Sequence, residues 1–136
     1  MKLRVYSDGA SRGNPGPASI AFKIQDANGK VLKKFSKYIG VRTNNQAEYE
    51  ALLSALRAAS QLTDLEIEVY GDSELLIKQL NMEYKVKNPD LKVLWLKAQG
   101  LKRSFLNITF NHLSRTDVNI YEVDMLANQA LDRIKR

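Results

Sequence analysis

The chain contains no cysteine, which excludes disulfide bridges, a thiolate nucleophile and any metal site built on sulfur. Long apolar runs are missing too. No segment approaches the ~20 apolar residues that a membrane helix needs, and the opening stretch MKLRVYSDGA holds no apolar core of signal-peptide length. A soluble, cytoplasmic protein is therefore expected. No linker, low-complexity tract or domain-sized duplication interrupts the 136 residues, so one domain over 1–136 is expected. Acids are scarce: 15 Asp and Glu stand against 21 Lys and Arg, for a net charge of +6. A basic surface favours a polyanion, because each neutralised phosphate releases condensed counterions. The weight of that argument depends on where the few acids sit.

Hydrophobic periodicity supplies the elements. Residues 2–8 alternate as a short strand, and 18–25 (ASIAFKIQ) and 30–39 (KVLKKFSKYI) flank Asp26-Ala27-Asn28-Gly29 as a hairpin. From 45 to 60, Leu52, Leu53, Leu56 and Ala59 recur at helical spacing. A strand follows at 65–70 (LEIEVY), then a helix over SELLIKQL and another over 90–103, where Leu91, Leu94, Trp95, Ala98 and Leu101 share a face. Trp95 belongs to that apolar stripe and is expected in the core. A strand at 105–110, an irregular loop and a helix from about 122 complete the order β-β-β-α-β-α-α-β-α. An antiparallel meander followed by strands with helical crossovers gives an α/β fold: a five-stranded mixed sheet flanked by helices.

Two strands end on nearly the same words, Val5-Tyr6-Ser7-Asp8 and Val69-Tyr70-Gly71-Asp72. Residues two apart share a strand face, so each Asp lies with its Tyr, opposite its Val. If the strands are parallel neighbours, both aspartates reach the carboxyl edge of the sheet about 5 Å apart, where open α/β sheets bind ligands. Antiparallel pairing would send them to opposite ends. Two such charges raise each other's pKa or need a cation between them, and oxygen donors suit Mg²⁺ or Mn²⁺. Each acid also has a plainer reading. Asp72 precedes a helix it could cap. Glu48 sits three residues after Asn45, a spacing that resembles a capping box. Asp124, with Glu122, falls where a helix start favours acids. Spacing alone cannot bring Glu48 and Asp124 to the sheet edge. The glycines of SDGASRGNPGPA permit backbone amides to approach a ligand, or simply make a turn.

Four runs in this order resemble type 1 ribonuclease H over essentially the whole chain: Tyr6-Ser-Asp8-Gly9-Ala-Ser-Arg-Gly-Asn14-Pro-Gly-Pro17-Ala, Thr43-Asn44-Asn45-Gln46-Ala47-Glu48-Tyr49-Glu50-Ala51-Leu52, Gly71-Asp72-Ser73 and Asp124-Met-Leu-Ala-Asn128. The resemblance implies a ribonuclease H-like fold and an endonuclease that hydrolyses the RNA strand of RNA/DNA hybrids, giving 5′-phosphate and 3′-hydroxyl products. It implies that Asp8, Glu48, Asp72 and Asp124 converge on two Mg²⁺ ions, with Mn²⁺ a substitute. Asp8 would bridge the two, Asp124 would help hold the ion that activates water, and Glu48 and Asp72 would hold the ion at the leaving 3′ oxygen. His112, the one histidine, matches a mobile-loop histidine that assists water activation or product departure.

Asn14, Asn44 and Gln46 would reach into the minor groove, where 2′-hydroxyls mark RNA, with Glu48 and the backbone after Asp8, at Gly9, contributing and Asn45 a further substrate contact. Thr43 and Asn88 would hold a DNA-strand phosphate, with Arg42 an extra contact. Setting the four acids aside leaves 11 against 21 bases, or +10 on the scaffold. The chain departs from the family in two ways. The stretch 82–90 carries only Lys85 and Lys87, so a long basic protrusion is absent, and the run from His112 to Asp124 is about two residues longer than usual. No hybrid-binding domain is expected before Asp8, and a monomer without an obligate protein partner is expected. Two alternatives stay open: a non-catalytic nucleic-acid-binding module, and a nuclease of the same fold acting on double-stranded RNA or branched DNA. A small-molecule phosphatase would leave the basic surface without a role.

Overall fold

The computed structural model describes residues 2–134. Three antiparallel strands, β1 (Lys2–Ser11), β2 (Gly16–Asp26) and β3 (Val31–Arg42), lead into helix α1 (Asn44–Ser60). Then follow β4 (Glu66–Gly71), α2 (Glu74–Leu80), α3 (Pro89–Lys102), β5 (Asn107–His112) and α4 (Val118–Ile134). The element order matches the expectation from periodicity. The strands form one mixed sheet, β3-β2-β1-β4-β5. β1 is antiparallel to β2 but parallel to β4, with Tyr6 opposite Tyr70; β4 and β5 are also parallel.

The two sheet faces are covered unequally. On one, α1, α2 and α3 enclose a large core that includes Leu3, Val5, Phe22, Ile24, Leu52, Leu56, Ile67 and Val69. On the other, α4 packs alone over Tyr6 and Ala21 through Ile120, Val123 and Ala127. Polar clamps supplement that small contact. The Lys23 ammonium, only 4% exposed, donates to Glu122 and Asn119, and the Ser19 hydroxyl donates to the Ala127 carbonyl at 2.6 Å. A buried ammonium is costly unless paired, so Lys23 sets where α4 can lie. Trp95 is half-buried against the larger core and donates from Nε1 to the Gln79 carbonyl at 3.0 Å, as its place on the apolar stripe predicts. No helix among the described residues is long and apolar enough to cross a membrane.

Several boundaries differ from the sequence expectation: β1 runs on to Ser11, β2 starts at Gly16 and β3 runs on to Arg42, and two differences near the end of the chain bear on the site. The last strand begins at Asn107 rather than 105, because pairing with β4 starts at Glu66 opposite Asn107 and runs to Gly71 opposite His112. His112 therefore ends a strand instead of lying in a loop. The last helix begins at Val118, not near 122. Asp117 accepts from the backbone N–H groups of Asn119 and Ile120 through Oδ1, and this cap starts a helix whose first residues have weak intrinsic preference.

Strand β1 meets α1 without any gap at Gly9. A Cβ there would overlap the backbone of Ala47 and Glu48, which cannot retreat without moving the helix. Gly9→Ala is expected to destabilise the protein by about 2–4 kcal/mol, measured by urea denaturation. A change below 0.5 kcal/mol would show that α1 is free to shift.

Candidate active site

The parallel register of β1 and β4 carries Asp8 and Asp72 to one edge of the sheet. Asp8 lies within the buried run Val5–Gly9 of β1, and Asp72 follows directly on β4. The stacked rings of Tyr6 and Tyr70, with centroids 5.2 Å apart, repeat the same register one step below. Glu48 comes down from α1, and its Oε1 accepts the Gly9 backbone N–H at 3.0 Å. Carboxylate oxygens of Asp8, Glu48 and Asp72 lie within 4.8 Å of one another. The carboxyl of Asp124, on α4, lies close enough to Asp8 to help raise its pKa. Four acids from four elements thus meet at the carboxyl edge.

The plainer readings of these acids do not hold. The capping box of α1 is Thr43 with Gln46, not Asn45 with Glu48. Ser73, not Asp72, caps α2 by accepting the Leu76 N–H. Asp124 lies beyond the first turn of α4, which Asp117 caps. Glu122 is spent on Lys23 and Lys34.

Electrostatics make the cluster costly on its own. Asp8 is 4% and Glu48 8% exposed. Burial first, then the charges of Glu48 and Asp72, pushes the Asp8 carboxyl far above the usual carboxylate range. Burial also raises Glu48, and the Gly9 amide only partly opposes it. Arg115 answers one charge, placing Nε 3.2 Å from Asp72 Oδ2, but its side chain is 82% exposed and such a pair is weak. Packed oxygen donors with too much negative charge for their burial fit a hard divalent cation. Asp8, Glu48 and Asp72 could ligate it together, with Asp124 alongside Asp8.

The other expected residues divide into two groups. Thr43, Asn45, Gln46 and Asn88 line one cavity of about 150 Å³ between the starts of α1 and α3. Asn14 Oδ1 accepts the Asn44 N–H at 3.0 Å, joining the β1–β2 turn to the start of α1. Arg42 lies away from that cavity's lining and pairs with Glu50 at 2.5 Å. His112 is exposed, with Nε2 3.2 Å from the Asp72 carbonyl oxygen, which puts it beside the acids. Arg115 was not anticipated. Its only signal was a cation in the Ser-Arg-Thr-Asp run before the last helix, and pairing across 43 residues leaves no local pattern.

The chain matches the reverse transcriptase-like family over residues 6–130. It is 40% identical to a ribonuclease HI of Halobacterium salinarum over 131 residues, 96% of this chain and 65% of that protein. It is 41% identical to a bifunctional protein of Mycobacterium tuberculosis over 97% of this chain but 36% of the relative. The chain thus spans less than two thirds of either relative. Among solved structures, the RNase H1 of H. salinarum superposes with a TM-score of 0.92 at 40% identity, covering 98% of this chain and 99% of that one. LC11-RNase H1 in complex with an RNA/DNA hybrid superposes with a TM-score of 0.90 at 42% identity, covering 96% and 97%.

Raised carboxyl pKa values link stability to pH with a definite sign. The folded protein holds protons on Asp8 and Glu48 that the unfolded chain releases from about pH 4 upward. Their stabilising contribution is therefore complete below the unfolded values and is lost as pH rises toward the folded ones. Asp8→Asn removes one of the charges. In EDTA it is expected to stabilise the protein by about 2 kcal/mol at pH 8, with the gain shrinking toward pH 5. Equal melting temperatures of mutant and wild type at pH 8 would show that the acids do not repel one another.

Proposed function

The chain belongs to the type 1 ribonuclease H family, and from that membership we propose that it is a metal-dependent endonuclease cutting the RNA strand of RNA/DNA hybrids, leaving 5′-phosphate and 3′-hydroxyl ends. The observation that carries this reading is the convergence of Asp8, Glu48 and Asp72 within 4.8 Å, with the Asp124 carboxyl near Asp8, on a protein of net charge +6. A cluster of buried acids on a basic scaffold repels phosphate unless cations fill it. All four carboxylates come from one chain, so one protomer suffices.

Asp8, Glu48, Asp72 and Asp124 would hold two Mg²⁺ ions, or Mn²⁺, which supply a lowered water pKa and charge neutralisation at the leaving 3′ oxygen. The rest falls to protein groups. Glu48 stays oriented by the Gly9 amide, and Asp8 is held within β1 beside Gly9, which packs against α1. If His112 donates Nε2–H to the Asp72 carbonyl, its Nδ1 lone pair remains free to take a proton during turnover.

Substrate contacts follow the same logic. Asn88 uses Oδ1 to cap α3 through Asp90 and Leu91, which leaves its amide donors for a phosphate in the cavity shared with Thr43. Lys85, Lys87 and Lys92 surround a groove of about 410 Å³ with Tyr84 and Trp95 just before and along α3. It offers further cations to the duplex although a long basic protrusion is absent. The hybrid bound by LC11-RNase H1 supports the choice of substrate.

The decisive assay uses end-labelled hybrid beside RNA duplex, DNA duplex and single strands, with Mg²⁺, Mn²⁺ or EDTA. Metal-dependent cutting of RNA in the hybrid alone is expected, with Asp8→Asn or Asp72→Asn lowering turnover by about a thousandfold or more. His112→Ala is expected to slow it by about 10- to 100-fold. Hybrid binding without cutting under either metal would replace the enzyme with a binding module, and cutting of double-stranded RNA at a comparable rate would replace the substrate.

A further inference from the structure

The cavity at Thr43 and Asn88 is one end of a longer furrow. Its walls, Gln46 on α1 and Leu91 on α3, are each one turn from Glu50 and Leu94, which line a second cavity of about 340 Å³. That cavity lies between α1, α3 and the β2–β3 part of the sheet, with Ile20, Phe35, Lys37 and Ile39 as its strand wall. Phe35, Leu53 and Leu94 contribute apolar surface, and Lys37, Arg57 and Lys97 contribute charge. All three cations are exposed, and among the described residues none has an ion-pair partner. The one carboxylate in the lining, Glu50, is bound to Arg42.

Position decides what could lie there. Lys37 is five residues down β3 from Arg42, roughly 16 Å from the catalytic end at strand rise. Lys97 is nine residues along α3 from Asn88, roughly 13 Å at helical rise. A duplex seated across the catalytic edge is too stiff to bend down this wall, since its persistence length is about 150 bp. A single strand turns easily, and a cationic groove with an exposed aromatic ring is the surface that holds one through phosphates and stacked bases. Lysines on an edge strand also discourage sheet-to-sheet pairing. That role accounts for Lys37 but not for Arg57 and Lys97, which sit on helices.

We propose that the α1–α3 furrow binds single-stranded nucleic acid, taking an unpaired extension of the hybrid away from the catalytic edge past Lys97, Arg57 and Lys37. This rests on the hybrid-nuclease reading for its biological setting, but the furrow can be tested without it. In the first arm, fluorescein-labelled dT12 is titrated by anisotropy against wild type and against the triple variant Lys37→Gln, Arg57→Gln, Lys97→Gln. Wild type is expected to bind about tenfold tighter, and its log–log salt slope should exceed the variant's by about 2, for three phosphates.

In the second arm, Asp8→Asn protein binds blunt hybrid and hybrids with a 10-nucleotide tail of DNA or RNA at either end. One tail is expected to tighten binding, and the triple substitution should erase that gain while leaving blunt-hybrid affinity within about threefold. Equal dT12 binding by wild type and the triple variant would overturn the inference, as would displacement of dT12 by a 12-residue poly-glutamate at equal concentration. Failure of the Asp8→Asn protein to bind blunt hybrid, or of wild type to cut it, would instead overturn the functional reading, with the dT12 arm still deciding the furrow. The variant's circular dichroism melt guards against misfolding, and Arg57→Gln with Lys97→Gln alone should show an intermediate loss.

Discussion

The parallel pairing of β1 with β4 is what gathers the acids at one edge of this molecule. Parallel neighbours cannot be joined by a tight turn, so the chain passes through the β2–β3 hairpin and α1 before β4 returns beside β1. The return aligns Val5 with Val69 and Tyr6 with Tyr70, and the next residue on the tyrosine face of each strand is an aspartate. An antiparallel β4 would put Asp72 at the far end of the sheet. The crossover that makes the pairing parallel also delivers Glu48, because α1 starts at the same edge and packs on Gly9 without a gap. Register, helix entry and glycine are thus parts of one constraint.

That constraint concentrates charge where it is least welcome. Asp8 and Glu48 lose water and face each other and Asp72, and each resists ionisation. The metal-free protein pays for this elsewhere, through the large core under α1–α3. The α4 side has far less apolar contact to give. There Lys23, Ser19 and Arg12 tie the helix down through Glu122, the Ala127 carbonyl and Asp132, so Asp124 is positioned by polar clamps on both sides of it along the helix. Such an arrangement fixes direction and register more sharply than a few alanine contacts could, at the risk that a broken clamp leaves a buried charge unpaired.

Much of the fold was legible because periodicity and turn chemistry report on local structure: all nine elements appear in order, and the Asp26–Gly29 turn closes the hairpin. The two displaced boundaries show the limits. The buried phenylalanines Phe105 and Phe110 made an apparent strand start two residues early, whereas pairing with β4 decides where β5 begins. The α4 start was hidden because its cap, Asp117, precedes weak helix formers. In the site, the shared strand-end words identified Asp8 and Asp72 on physical grounds, conditional on parallel pairing. Glu48 and Asp124 required the family resemblance, since their proximity is a property of helix packing. Arg115 had neither a motif nor a local partner.

The assignment of helix caps gives the site its economy. An acid at a helix start is ordinarily spent on the exposed N–H groups there, and such an acid would have little lone-pair capacity left for a cation. Here Thr43 with Gln46 caps α1, Ser73 caps α2 and Asp117 starts α4. Asp72 stands at a helix start yet is relieved of that duty by Ser73, while Glu48 and Asp124 lie beyond the first turns of α1 and α4. Glu122, the acid nearest Asp124 on its helix, is likewise taken by Lys23 and Lys34. What separates the cluster from an ordinary set of capping carboxylates is therefore the neighbours that do the capping, and those neighbours leave the acids to one another, to the Gly9 amide on Glu48, to the exposed Arg115 on Asp72 and to whatever cation the edge can attract.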